Sequence, residues 1–96
     1  MSKLTKDYRE GLLERLRDPE YAAEYLNAVL EENDQAAFLL ALRDVADARG
    51  NLSELARESS LNRESLYKIL SERGNPSLSS LHALLKSLGL HLQVSA

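Results

Sequence analysis

The sequence predicts an all-α domain built around a helix-turn-helix, with two extra N-terminal helices and a short C-terminal β-strand. Three observations support this prediction. Apolar residues recur at helical spacing through most of the chain, capping residues precede these segments, and three of the four Gly follow them. Only the last stretch, residues 90–94, alternates apolar and polar residues as a strand does.

Length and composition allow a single globular domain and exclude several classes of protein. The chain has 96 residues, of which 44% are hydrophobic, and no apolar run approaches membrane-spanning length. Charges are scattered through the N-terminus, so no signal peptide is expected. With no Cys, neither a disulfide framework nor a thiolate metal site is available. We therefore expect a cytoplasmic protein without a membrane partner.

Two amphipathic helices are predicted to form an N-terminal extension, residues 1–32, packed on a domain of residues 33–96. The first covers residues 7–17 and the second residues 20–31, with Asp18-Pro19 as the break and cap between them. Their inward residues are Leu12, Leu13, Leu16, Tyr21, Ala22, Tyr25, Leu26 and Val29. The acidic outer side of the second helix fits a basic partner, although such a face is more often only solvated.

A third helix is predicted from Asn33-Asp34 to about Ala48, ending near Gly50. Its apolar stripe is wide enough for burial between two neighbours, and Phe38, the only Phe, is assigned to the core.

The helix-turn-helix is predicted between Asn51 and Gly74. Asn51 and Glu54 form a capping-box-like start, Asn62 caps the second helix and Gly74 is expected to end it. The residues expected to face the core are Leu52, Leu55, Ala56, Leu61, Leu66, Ile69 and Leu70. The second helix also has a polar side, formed by Arg63, Glu64, Tyr67, Lys68 and Ser71.

A last helix is predicted over residues 78–88, with Ser77 as its cap and Gly89 as its stop. Its apolar stripe is Leu78, Leu81, Leu84, Leu85 and Leu88. The strand that follows has no partner within the chain, so we expect it to pair with a second copy or with another protein. In a homodimer the pairing residues are Leu90, Leu92 and Val94. A loosely docked extended tail is the alternative.

The helix-turn-helix resembles that of lambda-repressor-like (Xre) regulators, with Ala56, Leu61, Leu66 and Ile69 at the matching core positions. It departs from them at Ser59, where an apolar residue is usual, and at Ser60, where Gly is usual. If Ser60 adopts a positive φ, the turn is less stable than with Gly.

Residues 21–94 are similar to a narrower group, the probable addiction-module antidote proteins related to HigA-type antitoxins. The runs YLNAVLEENDQAAFLLALRDVADARGNLSELARE, SLYKILSERGNPSL and LKSLGLHLQV carry this resemblance. It implies a homodimeric antitoxin that represses its own operon at a palindromic operator in double-stranded DNA. It also implies a cognate toxin partner of the RelE/ParE superfamily, often an mRNA-cleaving enzyme.

The net charge of −3 is low for a DNA-binding protein, but the charges are unevenly distributed. Residues 1–32 hold five Lys/Arg and eight Asp/Glu, the remainder holds seven of each, and no acidic residue follows Glu72. A weakly basic DNA face beside an acidic N-terminal segment is therefore expected. A mixed, solvated surface is the alternative.

The DNA hypothesis assigns roles by position in the helix-turn-helix. Base contacts are expected from Arg63, Glu64, Tyr67 and Lys68. Phosphate contacts are expected from Asn51, Ser53, Asn62 and Arg73. The alternative is that Glu64 and Lys68 form only an exposed ion pair one helical turn apart.

No catalytic or metal-binding constellation is present in the sequence. His82 and His91 fall on different elements, and neither has other ligands at metal-binding spacing. We therefore expect no enzyme activity, metal or cofactor. A stand-alone helix-turn-helix regulator without a toxin, or a pure protein-interaction module, remains possible beside the antitoxin hypothesis.

Overall fold

A computed structural model describes residues 6–50, 52–59 and 61–96, without the side chain of Leu52. The described residues form six α-helices, which agrees with the all-α prediction, and no strand. The helices are α1 (Lys6–Leu16), α2 (Pro19–Leu30), α3 (Gln35–Arg49), α4 (Leu52–Ser59), α5 (Arg63–Ile69) and α6 (Leu78–Ser87).

Side-chain caps begin four of these helices at the predicted positions. An oxygen of each cap accepts a hydrogen bond from a backbone N–H in the first turn, at 2.7–3.1 Å, and the caps are Asp18, Asp34, Asn62 and Ser77. Gly50 (φ 90°) and Gly89 (φ 80°) follow α3 and α6 in the left-handed conformation that glycine adopts without strain. Local sequence therefore sets most helix boundaries.

One hydrophobic core joins all six helices. α3 packs against α1, α2 and α4, while α4 also packs against α5 and α6. Leu42, Leu66 and Leu84 are almost completely buried within this core. Phe38, predicted to be a core residue, packs against the core but stays partly exposed.

Polar contacts also hold α1 and α2 against α3. The guanidinium of Arg9 donates to Asp44 at 3.0 Å and to Asp47 at 3.1 Å, and the Tyr25 hydroxyl donates to Asp44 at 3.0 Å. Burial, together with this hydrogen bond to the Asp44 carboxylate, raises the pKa of Tyr25 from 10.0 to about 12.

The raised pKa of Tyr25 predicts how stability depends on alkaline pH. Because folding favours the neutral phenol, its contribution to stability is complete below pH 10 and is lost as pH rises through about 12. We expect a Tyr25→Phe variant to lose less stability than the wild type between these two values. Urea unfolding at a series of pH values measures the difference, and parallel curves for the two proteins would contradict it.

Leu78 does not belong to the buried stripe of α6, contrary to the sequence prediction. Its side chain is 72% exposed, while Leu84, Leu85 and Leu88 are buried and Leu81 is partly buried. Leu78 shares the helical side of the other leucines, but it lies in the first turn of α6, at the end farthest from Leu88. The apolar periodicity of α6 therefore extends to Leu78, but the buried surface of the helix does not.

The predicted C-terminal strand is absent from the described residues, and residues 90–96 have no regular secondary structure. The backbone N–H of Leu90 donates to the Leu85 carbonyl at 2.8 Å and so completes the end of α6. The remaining tail meets no second strand, and a strand is defined by pairing. Among the described residues of this chain, the tail lacks the partner strand on which the prediction depended.

Gly74 is needed for a different reason from the predicted one. α5 ends at Ile69, five residues earlier, and Gly74 is buried where the chain passes over that end. A Cβ at this position would clash with the carbonyl oxygen of Ile69 and would lie 2.7 Å from that of Lys68. The glycine permits a close backbone crossing.

Candidate nucleic-acid interface

α5 separates a buried side from an exposed polar side, as the sequence predicted. Leu66 and Ile69 are buried against the core. On the opposite side are four exposed residues, Arg63, Glu64, Tyr67 and Lys68. The polar side is therefore open to a partner while the helix is fixed from behind.

α4 holds α5 in place through small and apolar side chains. Leu55 and Ala56 of α4 are buried, and Leu61 between the two helices packs against the core. Ser59 was predicted to belong to a polar break, but it is helical and only 4% exposed. Its hydroxyl donates to the Ala56 carbonyl at 3.3 Å, which satisfies the buried group. Ser60 and its expected positive φ lie outside the described residues.

The exposed residues of α5 differ in how firmly they are held. The Arg63 guanidinium lies over the Tyr67 ring, 6.0 Å from its centroid, at the outer limit of a cation–π contact. Glu64 and Lys68 form no ion pair within 4.0 Å in the described part of the chain, so the proposed surface pair is not formed there. Both side chains are available to other partners.

Asn62 already has a structural role at the start of α5. Its Oδ1 accepts from the Ser65 N–H at 2.7 Å, which leaves the side-chain amide group to donate to a phosphate. Arg73 and Ser53 are exposed, Ser53 in the first turn of α4. Asn51, the fourth predicted phosphate contact, lies outside the described residues.

A shallow groove of about 480 Å³ lies between α5 and the start of α6, and the sequence did not predict it. Lys68 and Arg73 line it together with polar groups of Asn75, Ser77 and Ser80, and no Asp or Glu does so among the described residues. The groove thus joins one predicted base contact to one predicted phosphate contact. The lack of acidic residues after Glu72 was the feature of the sequence that indicated this surface. The sequence did not show that α5 and the start of α6 lie side by side.

The three residues assigned to dimerisation have different environments. Leu90 packs against the core, whereas Leu92 is 43% exposed and Val94 is 95% exposed. Only the last two are therefore free to contact a second copy.

Within the described residues, no group of three or more His, Asp or Glu side chains is arranged to hold a metal ion. His82 and His91 are both exposed. No helix in that same part of the chain has the length and hydropathy needed to cross a membrane.

One comparison with known proteins identifies a family, and a second finds a similar protein. A family model described as "Probable addiction module antidote protein" matches residues 9–96. A protein of Haemophilus influenzae, named only as uncharacterised, is 39% identical over 94 residues, which cover 98% of this chain and 94% of that protein. No solved structure matches the chain.

Proposed function

This chain belongs to the family of probable addiction-module antidote proteins, and we propose that it is a DNA-binding antitoxin that represses its own operon as a dimer. The family accounts for the antitoxin role and for a cognate toxin. DNA binding, autorepression and the class of toxin are our proposals. In this reading the protein acts by binding and not by catalysis.

The exposed polar side of α5 is the main support for DNA binding. Arg63 and Lys68 offer the donors that suit the N7 and O6 acceptors of guanine in the major groove. Glu64 is suited to accept from cytosine N4, and the Tyr67 ring can contact a thymine methyl group. These residues project from a helix held by α4, in the order expected of a helix-turn-helix with its second helix in the major groove.

The groove between α5 and α6 suits a phosphate at the edge of that interface. Lys68 and Arg73 bring positive charge to it, and the N-terminus of α6 adds a favourable dipole. Since residues 33–96 are neutral overall, the electrostatic attraction of one chain for DNA is weak. Two chains on a palindromic operator would double these contacts.

We propose a toxin of the RelE/ParE superfamily as the partner, on the basis of the family resemblance. A toxin that cleaves mRNA needs Lys and Arg to hold the phosphate backbone, so its nucleic-acid surface is basic. The acidic outer side of α2, formed by Glu20, Glu24 and Glu31, is suited to such a partner.

Promoter binding tests the DNA part of this proposal. At fixed salt, we expect affinity for the operon's own promoter to exceed that for unrelated DNA by about 1000-fold or more. Equal affinities for the promoter and for unrelated DNA would contradict the proposal that the protein recognises an operator. Co-purification with the product of the neighbouring reading frame tests the toxin part. Specific promoter binding without any such complex would favour a stand-alone regulator.

The exposed tail is the proposed dimer contact and gives a further prediction. Deleting residues 92–96 removes the exposed Leu92 and Val94 but keeps Leu90, which packs against the core. We expect a monomer by analytical ultracentrifugation and about 100-fold or more weaker operator binding, because two linked half-sites bind far more tightly than one. His91→Ala is the control and should leave both properties unchanged. A truncated protein that remains a dimer would place the interface elsewhere, such as on the N-terminal helices.

A further inference from the structure

A second groove, of about 790 Å³, lies on the N-terminal side of the molecule. We call it the α2 groove, since one side of α2 forms much of it, with Phe38 and the C-terminal tail completing it. The side chains used below are Glu20, Leu26, Leu30, Glu31 and Phe38.

The floor of the α2 groove is apolar and accessible. Leu30 is a large hydrophobic side chain and is 51% exposed. Leu26 and Phe38 also line the groove and connect it to the core. A patch of this kind gains free energy when an apolar side chain of a partner covers it.

Two carboxylates and one histidine line the α2 groove. They are Glu20, Glu31 and His91, and no Lys or Arg lines it among the described residues. The sequence around it has the same bias, with six Asp/Glu and no Lys, Arg or His in residues 18–42. The groove therefore favours a cationic occupant.

The position of Glu31 is not explained by the stability of its own helix. It is the C-cap of α2, where the negative end of the macrodipole disfavours a carboxylate, and no basic residue occupies the last turn. Glu31 also has no ion-pair partner within 4.0 Å in the described part of the chain. A carboxylate in this unfavourable place is consistent with a role in binding.

We propose that the α2 groove binds a cationic segment of the toxin that presents a large apolar side chain among its Lys and Arg residues. This inference rests on the proposed function, which supplies a partner with a basic nucleic-acid surface. The apolar side chain covers Leu30 and its neighbours, while the positive charges face Glu20 and Glu31. An antitoxin bound in this way occupies the cations that the toxin needs for RNA phosphates, which is a direct route to neutralisation.

A second copy of this chain is a poorer match for the groove. The tail of residues 90–96 contains no Lys or Arg. In α1, Arg9 is already held by Asp44 and Asp47, and Arg15 donates to the Tyr21 hydroxyl at 3.2 Å. Two of the three cations of α1 therefore already have partners within their own chain, and Lys6 is the third.

Two variants of the full chain test the α2 groove, each with a matched control. Leu30→Ser removes the exposed apolar contact, and Leu40→Ser, at a leucine of α3 that is 38% exposed and does not line the groove, is its control. Glu20→Lys with Glu31→Lys reverses the rim charge. Its control is Glu10→Lys with Glu14→Lys, two exposed carboxylates of α1. If charge reversal lowers the melting temperature, the Glu20→Gln, Glu31→Gln pair replaces it.

The first measurement uses the protein of the neighbouring reading frame, titrated by calorimetry. We expect Leu30→Ser and the rim reversal each to weaken binding by about tenfold or more, while the controls stay close to wild type. Promoter affinity should not change in the two Leu→Ser variants, and it should change to the same small extent in the two charge-reversal variants, through long-range electrostatics. If both groove variants bind the toxin as tightly as the wild type does, the toxin does not bind in the α2 groove. The proposed function would still stand. A shift of either groove variant from dimer to monomer would instead make a second copy the occupant.

The second measurement separates the groove from the identity of the toxin. The probe is a synthetic amphipathic helix containing only Leu and Lys, with a Leu and Glu peptide of the same pattern as its control. We expect the cationic peptide alone to bind the wild type, and Leu30→Ser to weaken that binding. If the neighbouring protein fails to bind the wild type while the Lys peptide still does, the antitoxin assignment fails and the cationic preference of the groove holds. If the Lys peptide does not bind the wild type, the proposed preference of the groove for a cationic segment is wrong.

Discussion

Replacing Arg63 and Lys68 together with Ala should weaken operator binding by at least about 30-fold. Both residues are exposed on the polar side of α5, and each good base contact is worth about 1–3 kcal/mol. The fold should survive, because the buried side of α5 is unchanged and neither residue has an ion pair within 4.0 Å in the described region. Gel shifts at fixed salt, with circular dichroism as the check on folding, provide the measurement.

The matched control removes two positive charges elsewhere. Arg17→Ala with Arg43→Ala has the same effect on net charge, at exposed positions outside α4, α5 and α6. We expect only a small loss of DNA affinity from it, through long-range electrostatics. If both double variants lose affinity equally, then binding depends on overall charge and α5 is not the recognition helix.

Salt dependence distinguishes the roles of the two residues. A side chain that contacts phosphate reduces the slope of log affinity against log salt by about one when it is removed, whereas loss of a base contact changes sequence preference more than the slope. Lys68 also lines the groove next to Arg73, so we expect Lys68→Ala to lower the slope in addition to removing a base contact. We expect Arg63→Ala to relax discrimination between operator and mutated operator. If Arg63→Ala lowered the slope and Lys68→Ala did not, the two roles would be exchanged.

Leu66→Ala should destabilise the whole protein by about 2–5 kcal/mol. Leu66 is 1% exposed and lies in the common core, so its loss leaves a cavity where α5 packs. For a domain of this size, the melting temperature should fall by at least about 10 °C. DNA binding should be lost through unfolding, which differs from the loss expected for Arg63→Ala in the folded protein.

Leu78→Ala is the matched control for Leu66→Ala. It makes the same chemical change at a leucine that is 72% exposed, so the free energy of unfolding should change by no more than about 0.5 kcal/mol. An unchanged melting temperature in Leu66→Ala would mean that the helical register assigned to α5 is wrong. An equally large loss in Leu78→Ala would mean that α6 buries its first turn.

The sequence by itself determined the helices and most of their boundaries. Asp18, Asp34, Asn62 and Ser77 act within their own first turns, and Gly50 and Gly89 relieve strain at single residues. Because both partners of each interaction lie within a few positions, they can be identified without the fold. The two sides of α5 follow equally directly from helical periodicity.

Only the tertiary structure decided which apolar residues are buried and where the chain leaves grooves. Leu78 continues the period of α6 and is exposed, whereas the polar Ser59 is buried. Gly74 is required by carbonyls of α5 that it approaches across a turn, not by a helix ending at that residue. The α2 groove exists because the tail of residues 90–96 passes beside α2 and Phe38. Burial and grooves depend on what lies across from a side chain, and periodicity along one segment does not contain that information.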